Sequence, residues 1–160
     1  MIRPNNYAFI DANNLHLSVK EQGWHLDYFR LRRYLFAKYS IKRAFLFFGY
    51  VSKYESMYKG LTKDGFELIF KPTLTLPDGQ PKGNVDGEVI LHTMIDLPNF
   101  DKAVILAGDG DYYCLVEYLI SINKLERLLI PDKNRYSSLF RSCLGYASFI
   151  NDIRKQIERV

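Results

Sequence analysis

Five short apolar runs recur along this chain, and stretches with helical spacing lie between them. The runs are YAFID (7–11), KRAFLFFGY (42–50), FELIF (66–70), KAVILAG (102–108) and LERLLIP (125–131). Short apolar runs bounded by turn residues read as strands buried on both faces. Helices packed on both sides of a parallel sheet supply that burial. LDYFRLRRYLFAKY (26–39) sets Leu26, Phe29, Tyr34 and Leu35 near helical spacing, and Tyr50, Tyr54, Met57, Tyr58 and Leu61 follow at helical intervals. VDGEVILHTMID (85–96) and DYYCLVEYLISI (111–122) read as further helices. A helix near 136–143, a short YASFI strand (146–150) and an amphipathic tail with Ile153, Ile157 and Val160 follow. This order predicts an α/β fold, a mainly parallel central sheet with helices on both faces. With no repeat and no linker, residues 1–160 are expected to form a single domain, with a C-terminal amphipathic helix at about 150–160.

One stretch breaks the alternation. KPTLTLPDGQPKGNVDG (71–87) carries three prolines and three glycines, so no regular element is expected across it, and residues 71–85 are expected to be the most mobile internal segment.

Composition narrows the class. Hydrophobic residues make up 48% and charged residues 25%, as in a soluble globular chain, and no apolar run is long enough to span a bilayer. The opening MIRPNNYAFIDANN does not read as a signal peptide. Cys114 and Cys143 fit no metal-ligand spacing and are expected to be reduced, buried thiols of a cytoplasmic protein. The net charge of +4 permits an anionic partner without demanding one.

The acids fall where such a fold binds ligands. Open parallel sheets place their sites beyond the carboxyl ends of the strands, where strand order reverses. Asp11 ends the first run, Asp109 and Asp111 follow the fourth, and Asp86 opens the helix leading into that fourth run. Should the first and fourth strands be neighbours, all four acids meet in one cleft. Packed carboxylates repel, so some hold a proton or a cation sits among them. An oxygen-only donor set suits Mg²⁺ or Mn²⁺, the usual apparatus of phosphodiester hydrolysis. Each acid also has a plain reading: Asp86 and Asp111 as helix caps, Asp11 as a turn residue.

Three motifs bring a resemblance. FIDANNL, KGNVD and VILAGDGDYYCLVEYL resemble, in this order over about residues 7–130, the NYN domain, a branch of the PIN-like ribonuclease superfamily that includes the LabA-like proteins. The resemblance implies a PIN-like sandwich with adjacent first and fourth strands, and metal-dependent cleavage of RNA. Carried over by position, it makes Asp11, Asp86, Asp109 and Asp111 metal ligands. It makes Asn14 the polar partner of a metal water or phosphate. Many relatives carry a further acid one to two turns after the position of Asp86. Here His92 and Thr93 occupy that stretch and the next acid is Asp96, so the number of metals, one or two, stays open.

Other residues carry weaker expectations. Lys82 is the leading candidate for a phosphate contact, with Arg135 and then Arg141 behind it. His92 reads as a core or rim histidine. His16, near Asp11, is given no role. Tyr50, Tyr54 and Tyr58, interleaved with Lys53, Lys59 and Lys63, read as core packing over a base-stacking stripe. Three functions compete: a nuclease acting on RNA, expected to be single-stranded; a non-catalytic module that binds RNA or a protein; and another Mg²⁺-dependent phosphoryl hydrolase. DANN (11–14) lacks the second aspartate of a haloacid-dehalogenase loop, which weakens the third. The apolar face of the tail either packs home or makes a homodimer.

Overall fold

The computed structural model describes residues 2–72, 74–75, 81–82 and 84–160, with the backbone alone at 74–75 and 81–82. Six strands form one sheet: β1 (Asn6–Asp11), β2 (Ile41–Gly49), β3 (Phe66–Lys71), β4 (Ala103–Leu106), β5 (Leu125–Ile130) and β6 (Ala147–Phe149). Their order is β3-β2-β1-β4-β5-β6 and every pairing is parallel. The expected mainly parallel α/β sheet is therefore present, and β1 and β4 are neighbours. Strand order reverses at β1, with Ile10 level with Leu46 on one side and Leu106 on the other.

Both faces of the sheet are covered, which explains why the strands read as unbroken apolar runs. Ala8, Ile10, Leu46, Val104 and Leu106 pack with α1 (Ala12–Glu21), α2 (Tyr28–Tyr39), α3 (Glu55–Lys63) and, later in the chain, α6 (Arg154–Ile157). Tyr7, Phe9, Phe45, Phe47 and Ile105 pack on the other face with α4 (Asp86–Ile95) and α5 (Tyr113–Ser121). Phe9 and Phe45 stack there at 5.3 Å between ring centres.

Several expectations are corrected. Helix α1 lacks a strong apolar stripe and gave no clear helical signal. Only Ala12, Leu15 and Val19 are buried on it, between Asn13, Asn14, His16 and Ser18. Asp11 caps its start, and the three buried side chains dock it on the sheet. Helix α2 starts at Tyr28 rather than Leu26, because the Asp27 carboxylate accepts from the Arg30 N–H at 3.1 Å. Leu26 instead bridges to Glu158. The helix expected at 136–143 is a run of 3₁₀ turns over Ser138–Tyr146, broken at Cys143. The segment 71–87 is not without regular structure: Leu74–Thr75 pairs antiparallel with Pro81–Lys82. A proline is tolerated in so short an edge pairing. The expected mobility of 71–85 falls largely on residues outside those described.

The thiols also divide. Cys143 is buried, but Cys114 is exposed because Leu115, Val116 and Leu119 take the core positions of α5. In the tail, Ile150 and Ile157 are buried and Ile153 packs beside them, so its apolar face packs home, while Val160 is exposed. Among the described residues, no helix is long and apolar enough to cross a membrane.

Asn6 locks the centre of the sheet. It is buried, its amide donates to the Tyr39 carbonyl at 2.8 Å, and its Oδ1 accepts from the Lys102 N–H at 3.0 Å. One side chain thus ties β1 to the end of α2 and to the entry of β4. Asn6→Ala leaves both backbone groups without that partner. It should destabilise the fold by about 1–3 kcal/mol, read from urea unfolding at unchanged slope; an unchanged midpoint would show that these bonds are replaceable.

Candidate active site

Each acid is positioned by a local turn. Strand β1 runs directly into α1, and Asp11 is the hinge: its Oδ1 accepts from the Asn14 N–H at 3.0 Å. After β4 the chain passes through Ala107 and Gly108 to Asp109, whose Oδ1 accepts from the Asp111 N–H at 3.0 Å and starts a 3₁₀ turn over Gly110–Tyr112. Helix α4 is entered through Asn84, whose Oδ1 accepts from the Asp86 N–H at 3.1 Å. The Lys71 ammonium fixes that entry by donating to the Asn84 carbonyl at 2.7 Å, with Glu88 at 3.7 Å. Asp109 is therefore the cap of its own turn, while Asn84 makes an Asx turn onto the first N–H of α4, whose N-cap residue Val85 makes no side-chain cap bond. The plain reading of Asp86 and Asp111 as caps fails, and their carboxylates are left for other work.

One glycine lets this loop pack. A Cβ on Gly110 would overlap the Ser137 Oγ and stand 3.0 Å from its Cβ. A Cβ on Gly108 would meet Pro131 and the Arg135 carbonyl only at ordinary contact distance, 3.6 and 3.7 Å. Gly110 of AGDGD thus serves close packing against the segment after β5.

The carboxylates converge. Asp86, Asp109 and Asp111 each offer one oxygen, and these atoms all lie within 4.8 Å of one another. Asp11 lies deeper, lining the same cleft as Asp86 and Asp109. Its Oδ2 accepts from the Tyr112 hydroxyl at 2.8 Å, so both of its oxygens have donors. Asn14 reaches the opposite way: its Oδ1 accepts from the Gly108 N–H at 3.0 Å, pinning α1 to the β4 loop. That bond leaves only the Asn14 NH₂ for a ligand.

Charge repulsion shows in the protonation equilibria. Burial pushes the Asp11 carboxyl above its ordinary range; bonds from Asn14 and Tyr112 oppose this and the charge of Asp109 adds to it. Asp86 is pushed up to about 6, first by burial, then by the adjoining Asp111 carboxyl and the charges of Asp109 and Asp11. Tyr112, fully buried, is pushed far above the usual phenol range by burial and by Asp11 and Asp86, so it stays a donor. Tyr112 was missed by sequence reasoning. Its signal was a hydroxyl-bearing ring directly after the acids, hidden because that position also reads as the apolar face of a helix.

The other candidates scatter. The Arg135 guanidinium meets Glu21 at 3.2 Å, both exposed. The Lys82 side chain is outside the described residues. A cleft of about 860 Å³ extends from Asp11, Asp86 and Asp109 between α1 and α3, and among the described residues Lys20, which sequence reasoning passed over, is the cation in its lining. His16 also lines it. His92 rests against Phe47, 5.5 Å between rings, in keeping with a rim position. Thr93, where a further acid was sought, is a core residue donating to the Val89 carbonyl at 2.7 Å. The tyrosine stripe splits: Tyr58 is buried, while Tyr54 lines the cleft.

A doubly wound sheet with carboxylates gathered where strand order reverses defines an α/β protein with an acid-lined crevice site. The NYN domain model matches residues 7–149, and the chain belongs to the NYN domain family. It is 23% identical over 168 residues to the low amplitude and bright protein LabA of Synechococcus elongatus, covering 98% of this chain and 90% of LabA. Its fold is that of a Vibrio parahaemolyticus protein of unknown function seen in a crystal structure, with a TM-score of 0.79, 21% identity, and coverage of 98% of this chain and 97% of the other.

A pH test follows from Asp86. Its carboxyl is raised from 3.8 to about 6, so between these values the folded protein holds more protons than the unfolded chain. Its contribution to stability is full below about pH 4 and is lost as pH rises through about 6. In EDTA, Asp86→Asn should melt near the parent at pH 4 and above it at pH 7. A variant that melts below the parent at pH 7 would reveal attraction where repulsion is expected.

Proposed function

We propose that this chain is a ribonuclease that hydrolyses RNA phosphodiester bonds with Mg²⁺ or Mn²⁺ held by Asp86, Asp109 and Asp111, with Asp11 behind them. The observation that carries this reading is the trio of carboxylate oxygens within 4.8 Å at the switch point of the sheet. The donor set fits the ion. Oxygens around Mg²⁺ at about 2.1 Å lie up to about 4.2 Å apart, so small side-chain rotations suffice. The donors are all oxygen, as a hard cation requires. When bound, such a cation neutralises phosphate charge and acidifies a water.

The protein's own residues do the positioning. Asp109 is held by the backbone turn it caps, and Asp86 by the Asn84 and Lys71 contacts at the start of α4. Asp11 adds negative charge from the floor of the cleft, fixed by the Asn14 N–H and the Tyr112 hydroxyl. Asn14, through its free NH₂, is assigned to the phosphate or its water. Lys82 and Arg135 are assigned to the RNA backbone. The exposed Arg135–Glu21 pair contributes little and can yield to a phosphate. The two free thiols fit a reducing compartment, the cytoplasm. A binding module without catalysis gains nothing from carboxylates that repel one another, which favours the enzyme.

Asp109→Asn is the decisive variant, because an amide oxygen can keep the cap on Asp111 while the charge is removed. In EDTA it should melt at or above the parent temperature. With Mg²⁺ at 100 times its dissociation constant the parent should gain about 2.7 kcal/mol, and the variant less. Cleavage of single-stranded RNA should fall by about 100-fold or more. Calorimetry with Mn²⁺ and a generic phosphate ester separates the alternatives: no metal uptake points to a binding module, and ester hydrolysis without RNA cleavage to another phosphoryl hydrolase. A destabilised Asp109→Asn that still cleaves RNA at the parental rate would sink the site.

A further inference from the structure

The cleft beside the acids is too large and too apolar for a metal site alone. It extends from Asp11, Asp86 and Asp109 between α1 and α3. Its walls carry three large apolar side chains that remain exposed: Leu17 of α1 at 45%, and Tyr54 and Met57 on the α3 side at 43% and 46%. Burying such groups is the ordinary outcome of folding, so an exposed set facing one cleft marks a contact surface. The volume of about 860 Å³ falls within the range of small-molecule sites, about 300–1,000 Å³. Phe48 and Tyr58 line it as well, and Tyr58 is held in place by ring contacts to Phe48 at 5.4 Å and Phe70 at 4.7 Å.

We propose that this part of the cleft is a nucleobase subsite, which takes an unstacked base of a single-stranded RNA whose phosphate lies at the carboxylates, with Tyr54 as the stacking platform. The inference deepens the nuclease reading of the same site. Three features select a nucleic-acid strand over an apolar peptide. The cleft is continuous with an acid cluster suited to a metal-bridged phosphate. Lys20 in the lining, and Lys53 beside it at 5.1 Å from the Tyr54 ring centre, are placed for a polyanion. Asn13, exposed in the lining, offers a donor and an acceptor to a base edge. Single strands are selected because only an unpaired, unstacked base presents its face to a ring. The subsite uses the part of the tyrosine stripe that the core does not claim: Tyr58 packs inside and Tyr54 is left outside.

The test measures binding apart from turnover. A short 5′-fluorescein oligoadenylate RNA is titrated with the full chain by anisotropy, in Ca²⁺ in place of Mg²⁺, as a single strand and annealed to its complement. The parent should bind the single strand at least tenfold more tightly than the duplex. Tyr54→Ala should weaken single-strand binding by roughly 5- to 150-fold, and Tyr54→Phe, which keeps the ring, should bind like the parent. Leu17→Ser on the opposite wall should weaken it several-fold. Tyr54 and Leu17 are both well exposed, and melting curves confirm that the variants fold. Parental affinity in Tyr54→Ala, equal losses in Tyr54→Phe, equal affinity for duplex, or no binding by the parent would each overturn the subsite. The two readings fail separately. Parental binding by Tyr54→Ala with intact Mn²⁺ uptake and RNA cleavage removes the subsite and leaves the nuclease. Tyr54-dependent binding without metal uptake or cleavage removes the nuclease and leaves a single-strand reader.

Discussion

Strand β1 is held between β2 and β4, parallel to both, and the site follows from that placement. Ile10 sits level with Leu46 and Leu106, so the residue after it, Asp11, emerges where two crossovers leave in opposite directions. A crevice opens there because no crossover covers the reversal point. The β4 loop, one strand away, then delivers Asp109 and Asp111 to the same crevice. Helix α4, packed under β1 and β4 through Val89, brings Asp86 by its first turn. Asn6 fixes the other end of β1 to Lys102 at the start of β4.

Gathering carboxylates works against folding, and the surrounding structure shows how the conflict is contained. Asp11, the most buried, has a donor on each oxygen. Asp109 is tied into its own turn. Asp86 answers its burial first, and then the neighbouring carboxylates, with a raised proton affinity. A cation would relieve the same repulsion, so metal uptake and release of strain are one process. Helix caps and metal ligands are often treated as rival explanations of an aspartate. The Asp11 carboxylate caps α1 with one oxygen and accepts from Tyr112 with the other, and Asp109 both caps its turn and lies in the carboxylate trio, so the two roles coexist.

The cleft gives the acids a direction. Charge sits at one end, and exposed Leu17, Tyr54 and Met57 at the other. The proposed single strand of RNA would present apolar base faces to one end and a phosphate, through a bound cation, to the other. Lys20 lines the same cleft and Lys53 stands over the Tyr54 ring, whereas Arg135 is turned toward Glu21.

The sequence by itself determined the alternating α/β order, the parallel sheet and the identity of the acids. Runs buried on both faces leave an unbroken apolar signature, and strand ends leave an acid where that signature stops. It passed over α1, because a helix built on Ala12, Leu15 and Val19 with a capping aspartate shows little periodicity. It misjudged Cys114, because nothing local says which side of α5 faces the sheet. Only the tertiary structure decided which oxygens remain available. The Tyr112–Asp11 bond joins residues 101 apart and the Asn14–Gly108 bond residues 94 apart. Hydrogen bonds across such separations are set by how the strands are ordered in space, and that ordering writes no pattern into the local sequence.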